Sequence, residues 1–233
     1  MERFYQYSVE HNFTSASETK SKTINIDKDY NFVVLKMVAT CSASFTVSLK
    51  SGGKLFTNKQ INNANIFGTA QLPNILLTPL ILLRGTDFTV DMVNGSTASN
   101  SVEIVFEGYL TDKMIPIQKQ WKQYGFEQLS FTSTSQSLST TINIDDTYDF
   151  VIQKIVGTDD ASGDYQVFIT ANMNMFSNDL INAKNIIGTA QYPNILSKPF
   201  LLTKRSSIIL QVLNGATASN NVNIVLEGYE IIK

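Results

Sequence analysis

This chain has a single histidine and a single cysteine. His11 falls near the end of the first predicted strand, and a general base or zinc ligand needs company that a lone imidazole lacks. A structural or surface role is expected for it. Cys41 excludes an internal disulfide and reads as an incidental residue at a strand end. A Ser/His/Asp set can be drawn arithmetically, but no nucleophile elbow supports it, and there is no glycine-rich phosphate loop. The run Asp159-Asp160-Ala161-Ser162-Gly163-Asp164 offers carboxylates around a turn and could hold Ca²⁺. It lacks the ligand spacing of an EF-hand, so a solvated acidic turn is the expectation there, as it is at Asp145-Asp146. No catalytic residue, cofactor or metal is expected, and the chain is read as a non-enzyme.

The polar motif that stands out is a repeat. Residues 65–76 read N-I-F-G-T-A-Q-L-P-N-I-L and residues 185–196 read N-I-I-G-T-A-Q-Y-P-N-I-L. The match extends outward: 28 of 55 positions are identical between Leu55–Tyr109 and Met175–Tyr229 at an offset of 120, and 11 of 18 between Thr23–Thr40 and Thr141–Thr158 at an offset of 118. Two inserted residues near Asp159–Gly163 account for the change of offset. Leu129 then stands opposite His11, and Asp159 opposite Cys41, so neither is part of a chemistry shared by both copies. The chain is a tandem duplication of one unit. Within the motif Gly68 and Gly188 permit tight backbone, Pro73 and Pro193 fix it, and Gln71, Gln191, Asn74 and Asn194 can bond stray backbone groups of a long loop. A structural role suffices for these eight residues; contact with a neighbouring subunit, equivalent in both copies, is the functional alternative. Both stay open on the sequence.

The elements that must position these residues are strands. Thr23-Ile24-Asn25-Ile26-Asp27, Phe45–Leu49 and Phe88–Met92 alternate apolar and polar, the mark of strands with one wet face. Phe32–Val38 is more continuously apolar, as if buried on both sides. Gly/Asn/Asp/Ser clusters at Lys28-Asp29, Ser51-Gly52-Gly53, Arg84–Asp87 and Asn94-Gly95-Ser96 separate them. Eight strands per copy are predicted, at about 3–13, 20–27, 31–40, 44–50, 53–57, 79–83, 86–93 and 101–110, then about 121–132, 138–144, 148–157, 163–171, 173–177, 199–203, 206–213 and 221–232. A connection of about 20 residues carries the repeated motif, with a possible helical turn at Asn58–Asn65. Eight short antiparallel strands with one late long connection predict an all-β chain of two tandem eight-stranded jelly rolls: residues 1–110 and 121–233, joined by a linker at 111–120 in which Pro116 favours a break.

Composition narrows the function. Charged residues are 16%, well under the ~25% of an ordinary soluble protein, which suits faces covered by partners. Net charge is −2, and the basic residues are scattered, so specific nucleic-acid binding is not expected. The N-terminus lacks the apolar run of a signal peptide, and the longest apolar run, Ile75–Leu83, is far shorter than a membrane span. The expectation is a soluble, unprocessed chain made in the cytoplasm. Phe4, Tyr5, Tyr7, Trp121, Tyr124 and Phe126 crowd the first strand of each copy; core packing and contact between the halves account for them, while a sugar-stacking platform is the rival.

Two jelly rolls in tandem, with G-T-A-Q-x-P-N and the endings Glu107-Gly108-Tyr109 and Glu227-Gly228-Tyr229 as landmarks, resemble a double jelly-roll major capsid protein of the adenovirus-type lineage. The compact size is most similar to the capsid proteins of small, tail-less, membrane-containing phages. The resemblance implies a structural virion protein, assembled in the host cytoplasm into homotrimers that serve as pseudo-hexameric capsomers of an icosahedral shell. It implies partners: neighbouring capsomers, minor capsid or penton proteins, and an internal membrane. A carbohydrate-binding jelly-roll lectin, or a phage collar, spike or fibre protein, are the alternatives.

Overall fold

A computed structural model describes residues 2–161, 164–171, 174–216 and 219–232, without the side chains of Asn174 and Met175. Ser162 and Gly163 of the acidic run lie outside the described residues. The first half forms β1 (Glu2–Phe13), β2 (Thr19–Asn25), β3 (Asn31–Cys41), β4 (Phe45–Ser51), β5 (Lys54–Leu55), β6 (Ile61–Asn62), β7 (Asn74–Leu82), β8 (Asp87–Asn94) and β9 (Asn100–Thr111). The second forms β10 (Lys119–Gly125), β11 (Leu129–Phe131), β12 (Ser137–Asn143), β13 (Asp149–Asp159), β14 (Tyr165–Ala171), β15 (Asn174–Met175), β16 (Ile181–Asn182), β17 (Asn194–Leu202), β18 (Ser207–Asn214) and β19 (Asn220–Ile231).

Each half makes two antiparallel sheets from its own strands. The first half has β1-β9-β3-β7 facing β2-β8-β4 with β5 and β6 both on β4; the second has β10-β19-β13-β17 facing β12-β18-β14 with β15 and β16 both on β14. This interleaved order, in which the last strand pairs with the first and third, is the jelly roll. Eight strand positions are filled per half, the fifth by two short fragments. Apolar residues at every second position of β4, β8 and β9 turn inward (Phe45, Val47, Leu49; Phe88, Val90, Met92; Ile104, Phe106) and are buried, as the period-two pattern requires. Each half has its own apolar core.

The repeated Glu-Gly-Tyr endings have a packing reason. A bulge falls between Val34 and Lys36 on β3, and between Ile152 and Lys154 on β13. Gly108 and Gly228 lie opposite those bulges, where an added Cβ would stand 1.8 Å from the Val33 and Val151 carbonyl oxygens. No other residue fits there.

Several predicted boundaries are corrected. The strand expected at 79–83 is β7, beginning at Asn74 with Pro79 inside it. It lies at the sheet edge and opposite the β3 bulge, where Pro79 forfeits no ladder bond. The strand expected at 121–132 breaks into β10 and β11, because the second copy carries one residue more here. The helical turn in 58–65 is a single 3-10 turn, Asn63–Asn65, capped by the Asn62 side chain. Strands run to Thr111 and resume at Lys119, leaving 112–118 as the connection, shorter than the expected 111–120. Phe32–Val38 is not buried on both sides: Leu35 is exposed and Lys36 half-buried. Its counterpart in β13 is buried on both sides, for a reason that lies in the junction between the halves.

Candidate assembly interface

The segment of the first half that runs from β5 through the repeated motif into β7 lies across the outer wall of the second half's β10-β19-β13. At the sheet edge the contact is backbone to backbone. The Gln123 N–H donates to the Phe56 carbonyl (2.9 Å) and the Asn58 N–H to the Gln123 carbonyl (3.2 Å), forming a parallel bridge. The Asn58 side chain donates to the Gly125 carbonyl (3.1 Å) and accepts from its N–H (2.7 Å). The apolar part is Trp121, Val156 and Val225, which join the first half's core cluster with Phe56, Ile66 and Leu76.

At the centre is a buried ion pair, Lys154 to Glu227, at 2.8 Å with side chains 1% and 3% exposed. A charge so placed must have every partner filled. Lys154 Nζ also donates to Asn74 Oδ1 (3.0 Å) and the Ile75 carbonyl (2.7 Å). Glu227 accepts from Gln123 Nε2 (2.9 Å) and Asn74 Nδ2 (3.4 Å). Gln123 Nε2 reaches the Asn65 carbonyl as well (3.3 Å), and Asn65 Nδ2 reaches Thr158 Oγ1 (3.4 Å) and the Asn223 carbonyl (3.5 Å). A second buried cluster joins Lys54 and Lys122 to Glu230, at 3.0 and 3.3 Å, beside a cleft of about 640 Å³ lined also by Tyr124 and Tyr148. Burial there pushes the Tyr124 phenol up. At the rim Thr78 donates to Gln153 (3.0 Å), and Lys59 pairs with Glu127 (2.6 Å).

The eight residues singled out by sequence divide accordingly. Gly68 and Gly188 hold the motif against its own barrel: Gly68 bonds the Met37 carbonyl and the Ala39 N–H, and Gly188 bonds Ile155 and Gly157 in the same way. A Cβ would stand 2.1 Å from the Leu72 carbonyl oxygen at Gly68 and 2.2 Å from that of Tyr192 at Gly188. Pro73 and Pro193 follow those carbonyls and fix the return. Asn74 and Asn194 each donate to the carbonyl across the loop, Ile66 (2.9 Å) and Ile186 (2.7 Å). Only Asn74 also reaches the other barrel. Gln71 is exposed and Gln191 half-buried. Trp121, with 1% exposure, is wedged between the halves and offers no ring face to a sugar.

His11 Nε2 lies 3.1 Å from Glu18, which also accepts from the Thr14 N–H (2.8 Å). That backbone bond, with His11 beside it, draws the Glu18 carboxyl down to about 2. In the second copy Gln136 accepts from the Thr132 N–H instead (2.9 Å). Cys41 ends β3 and is exposed. Among the described residues no three His, Cys, Asp or Glu side chains are grouped to hold a metal ion. Among the described residues no helix is long and apolar enough to cross a membrane.

What the sequence reading missed is Lys154–Glu227 and its cage. A signal was present. Gln6, Lys36 and Glu107 occupy the same positions in the first half. Lys36 Nζ stands 2.5 Å from Glu107 and Gln6 Nε2 2.7 Å from it, but this pair is 27% and 24% exposed. Burial would raise the Glu107 carboxyl, yet Lys36 and Gln6 outweigh it and hold it below the usual range.

No protein-family model matches the chain, and no curated protein does. Among solved structures it is similar to the major capsid protein P2 of bacteriophage PM2, at 11% identity over 98% of each chain with a TM-score of 0.47. It is similar to PBCV-1 VP54, in a structure fitted into a reconstruction of the virophage Sputnik, at 9% identity over 100% of this chain and 96% of that one, TM-score 0.47. The extracellular domain of ANXUR2 from Arabidopsis thaliana follows, at 9% identity over 96% and 83%, TM-score 0.29. The jelly-roll assignment rests on the strand order within each half.

Proposed function

We propose that this chain is a major capsid protein, a structural virion subunit that trimerises into pseudo-hexameric capsomers. One observation carries the reading: the two barrels meet front to back. The loop side of the first lies on the outer wall of the second, so the junction is heterologous, joining two different surfaces. Heterologous contacts between equivalent units propagate and close into rings when the rotation permits. Two like barrels per chain need three chains for a ring of six, and such rings tile a shell. Shape-matched walls do the work, and the function needs no covalent chemistry. The eight motif residues, Gly68, Gln71, Pro73 and Asn74 with Gly188, Gln191, Pro193 and Asn194, belong to the loops that present these contacts.

Light scattering on the purified protein tests it. The expected mass is three times 25.9 kDa, with hexagonal outlines by electron microscopy. A monomer at every concentration overturns the proposal. The lectin alternative loses its Trp121 platform to the barrel junction, so no glycan-array signal dependent on Trp121 is expected.

A further inference from the structure

The surface that the first barrel covers on the second exists again, uncovered, on the first. Phe4, at 68% exposure, occupies the place of Trp121. Gln6 is exposed where Gln123 is buried, and Val38 and Val105 are half-buried where Val156 and Val225 are buried. Like β10, β1 closes one end of its four-strand order, but no strand among the described residues borders its outer edge. The complementary surface is likewise uncovered on the second barrel. Asn185 is exposed, and Ser177, Ile186, Asn194 and Leu196 half-buried, where Asn65, Thr57, Ile66, Asn74 and Leu76 are buried; Asn178 and Asn58 are both exposed.

The geometry points to one occupant for this wall: the 176–196 segment of a second copy of this chain, docked as residues 56–76 dock within the chain. The inference rests on the capsomer reading and names its subunit contact. Its support is the chemistry retained. Every side chain in the cage around Lys154–Glu227, and the Asn58 that brackets the Gly125 backbone, has the same residue at the matching place: Asn65/Asn185, Asn74/Asn194, Gln123/Gln6, Lys154/Lys36, Thr158/Thr40 and Glu227/Glu107, with Asn58/Asn178. In the docked state Lys36 Nζ gains Asn194 Oδ1 and the Ile195 carbonyl. Asn194 Nδ2 donates to Glu107, Asn185 Nδ2 donates to Thr40, and Asn178 brackets the backbone of Ser8, the equivalent of Gly125. The Gln6 backbone bonds the 176–178 segment along the open edge, an added-strand mode of recognition.

The rim is not retained. Lys59–Glu127 becomes Asp179 facing Glu10, two carboxylates, and Thr78–Gln153 becomes Lys198 facing Leu35. The Lys54/Lys122–Glu230 cluster has Tyr5 and Leu110 in place of Lys122 and Glu230. The contact between chains is therefore the weaker of the two.

Site-directed cross-linking tests this in a Cys41→Ser background, with one variant carrying Ser8→Cys and Asn178→Cys and another carrying Thr40→Cys and Asn185→Cys. Each is first confirmed trimeric by light scattering, then treated with a short bis-maleimide and resolved on a denaturing gel. The expected result is chain-to-chain links in both double variants, ending at three chains, and none in the four single variants. Mixing the two singles of a pair should give two-chain species. If the trimers are intact and neither pair links, the inference is wrong and the capsomer reading survives. If the unsubstituted protein is monomeric throughout, the capsomer reading fails first.

Discussion

Replacing Lys154 and Lys36 by methionine, one at a time, measures what the second barrel gains from being covered. The two lysines face the same carboxylate in the same register, but in different surroundings. Lys154→Met removes three contacts at 2.8, 3.0 and 2.7 Å and strands Glu227 in a site 3% exposed, with only Gln123 and Asn74 left to donate. Breaking a buried pair from one side costs about 3–5 kcal/mol. Lys36→Met leaves Glu107 within reach of water and of Gln6, and a pair so exposed is worth about 0–1 kcal/mol. In dilute, unassembled protein the gap should be about 3 kcal/mol, from the difference of those two ranges. Urea unfolding reads it, followed by fluorescence of Trp121, the single tryptophan, which sits between the barrels. Lys154→Met combined with Glu227→Leu should recover most of the loss, because no orphaned charge remains. Equal penalties for the two single variants, or a larger one for Lys36→Met, would refute the view that coverage makes Lys154–Glu227 structural.

Four further outcomes are expected. Asn74→Ala should destabilise the unassembled chain by about 1–3 kcal/mol more than Asn194→Ala, since Asn74 alone holds groups of the other barrel; the comparison is made by thermal unfolding. Gly68→Ala and Gly108→Ala force a Cβ onto backbone oxygens at 2.1 and 1.8 Å and should cost about 3 kcal/mol or more, seen as loss of soluble protein on expression. In the proposed docking between chains Asp179 faces Glu10, so Asp179→Lys should tighten self-association by roughly two- to fivefold in sedimentation equilibrium, by putting an ion pair in place of two like charges. The Glu18 carboxyl is drawn down to about 2 from its ordinary 4.5. Its stabilising effect is therefore complete above about 4.5 and is lost as pH falls from there through about 2; Glu18→Gln, which copies Gln136, should remove this part of the acid dependence in a pH titration of Tm.

The duplication, the all-β character and the jelly-roll order were legible because they are written in local pattern. Two runs of identical residues at one offset need no structure to be seen, and period-two alternation fixes which face of β4 or β8 turns inward. The Gln–Lys–Glu sets were not legible, because Gln6, Lys36 and Glu107 come from three strands whose register is set by sheet pairing. A hint lay in Val-Val-Leu-Lys-Met-Val and Val-Ile-Gln-Lys-Ile-Val, where a lysine interrupts the same apolar strand in both copies. β7 begins at Asn74, ahead of the expected 79, and runs through Pro79 because that residue sits on an open edge opposite a bulge. Trp121 packs between the halves as expected, but its place in the first barrel's core was not legible, since that neighbourhood exists only once the halves meet.

The connection at 112–118 gives the junction within the chain a thermodynamic standing that no contact between chains can share. A tether this short holds the two barrels at an effective concentration on the order of millimolar, whatever the dilution of the protein. In the proposed assembly, dilution should therefore separate whole chains from one another while the two barrels of each chain stay docked.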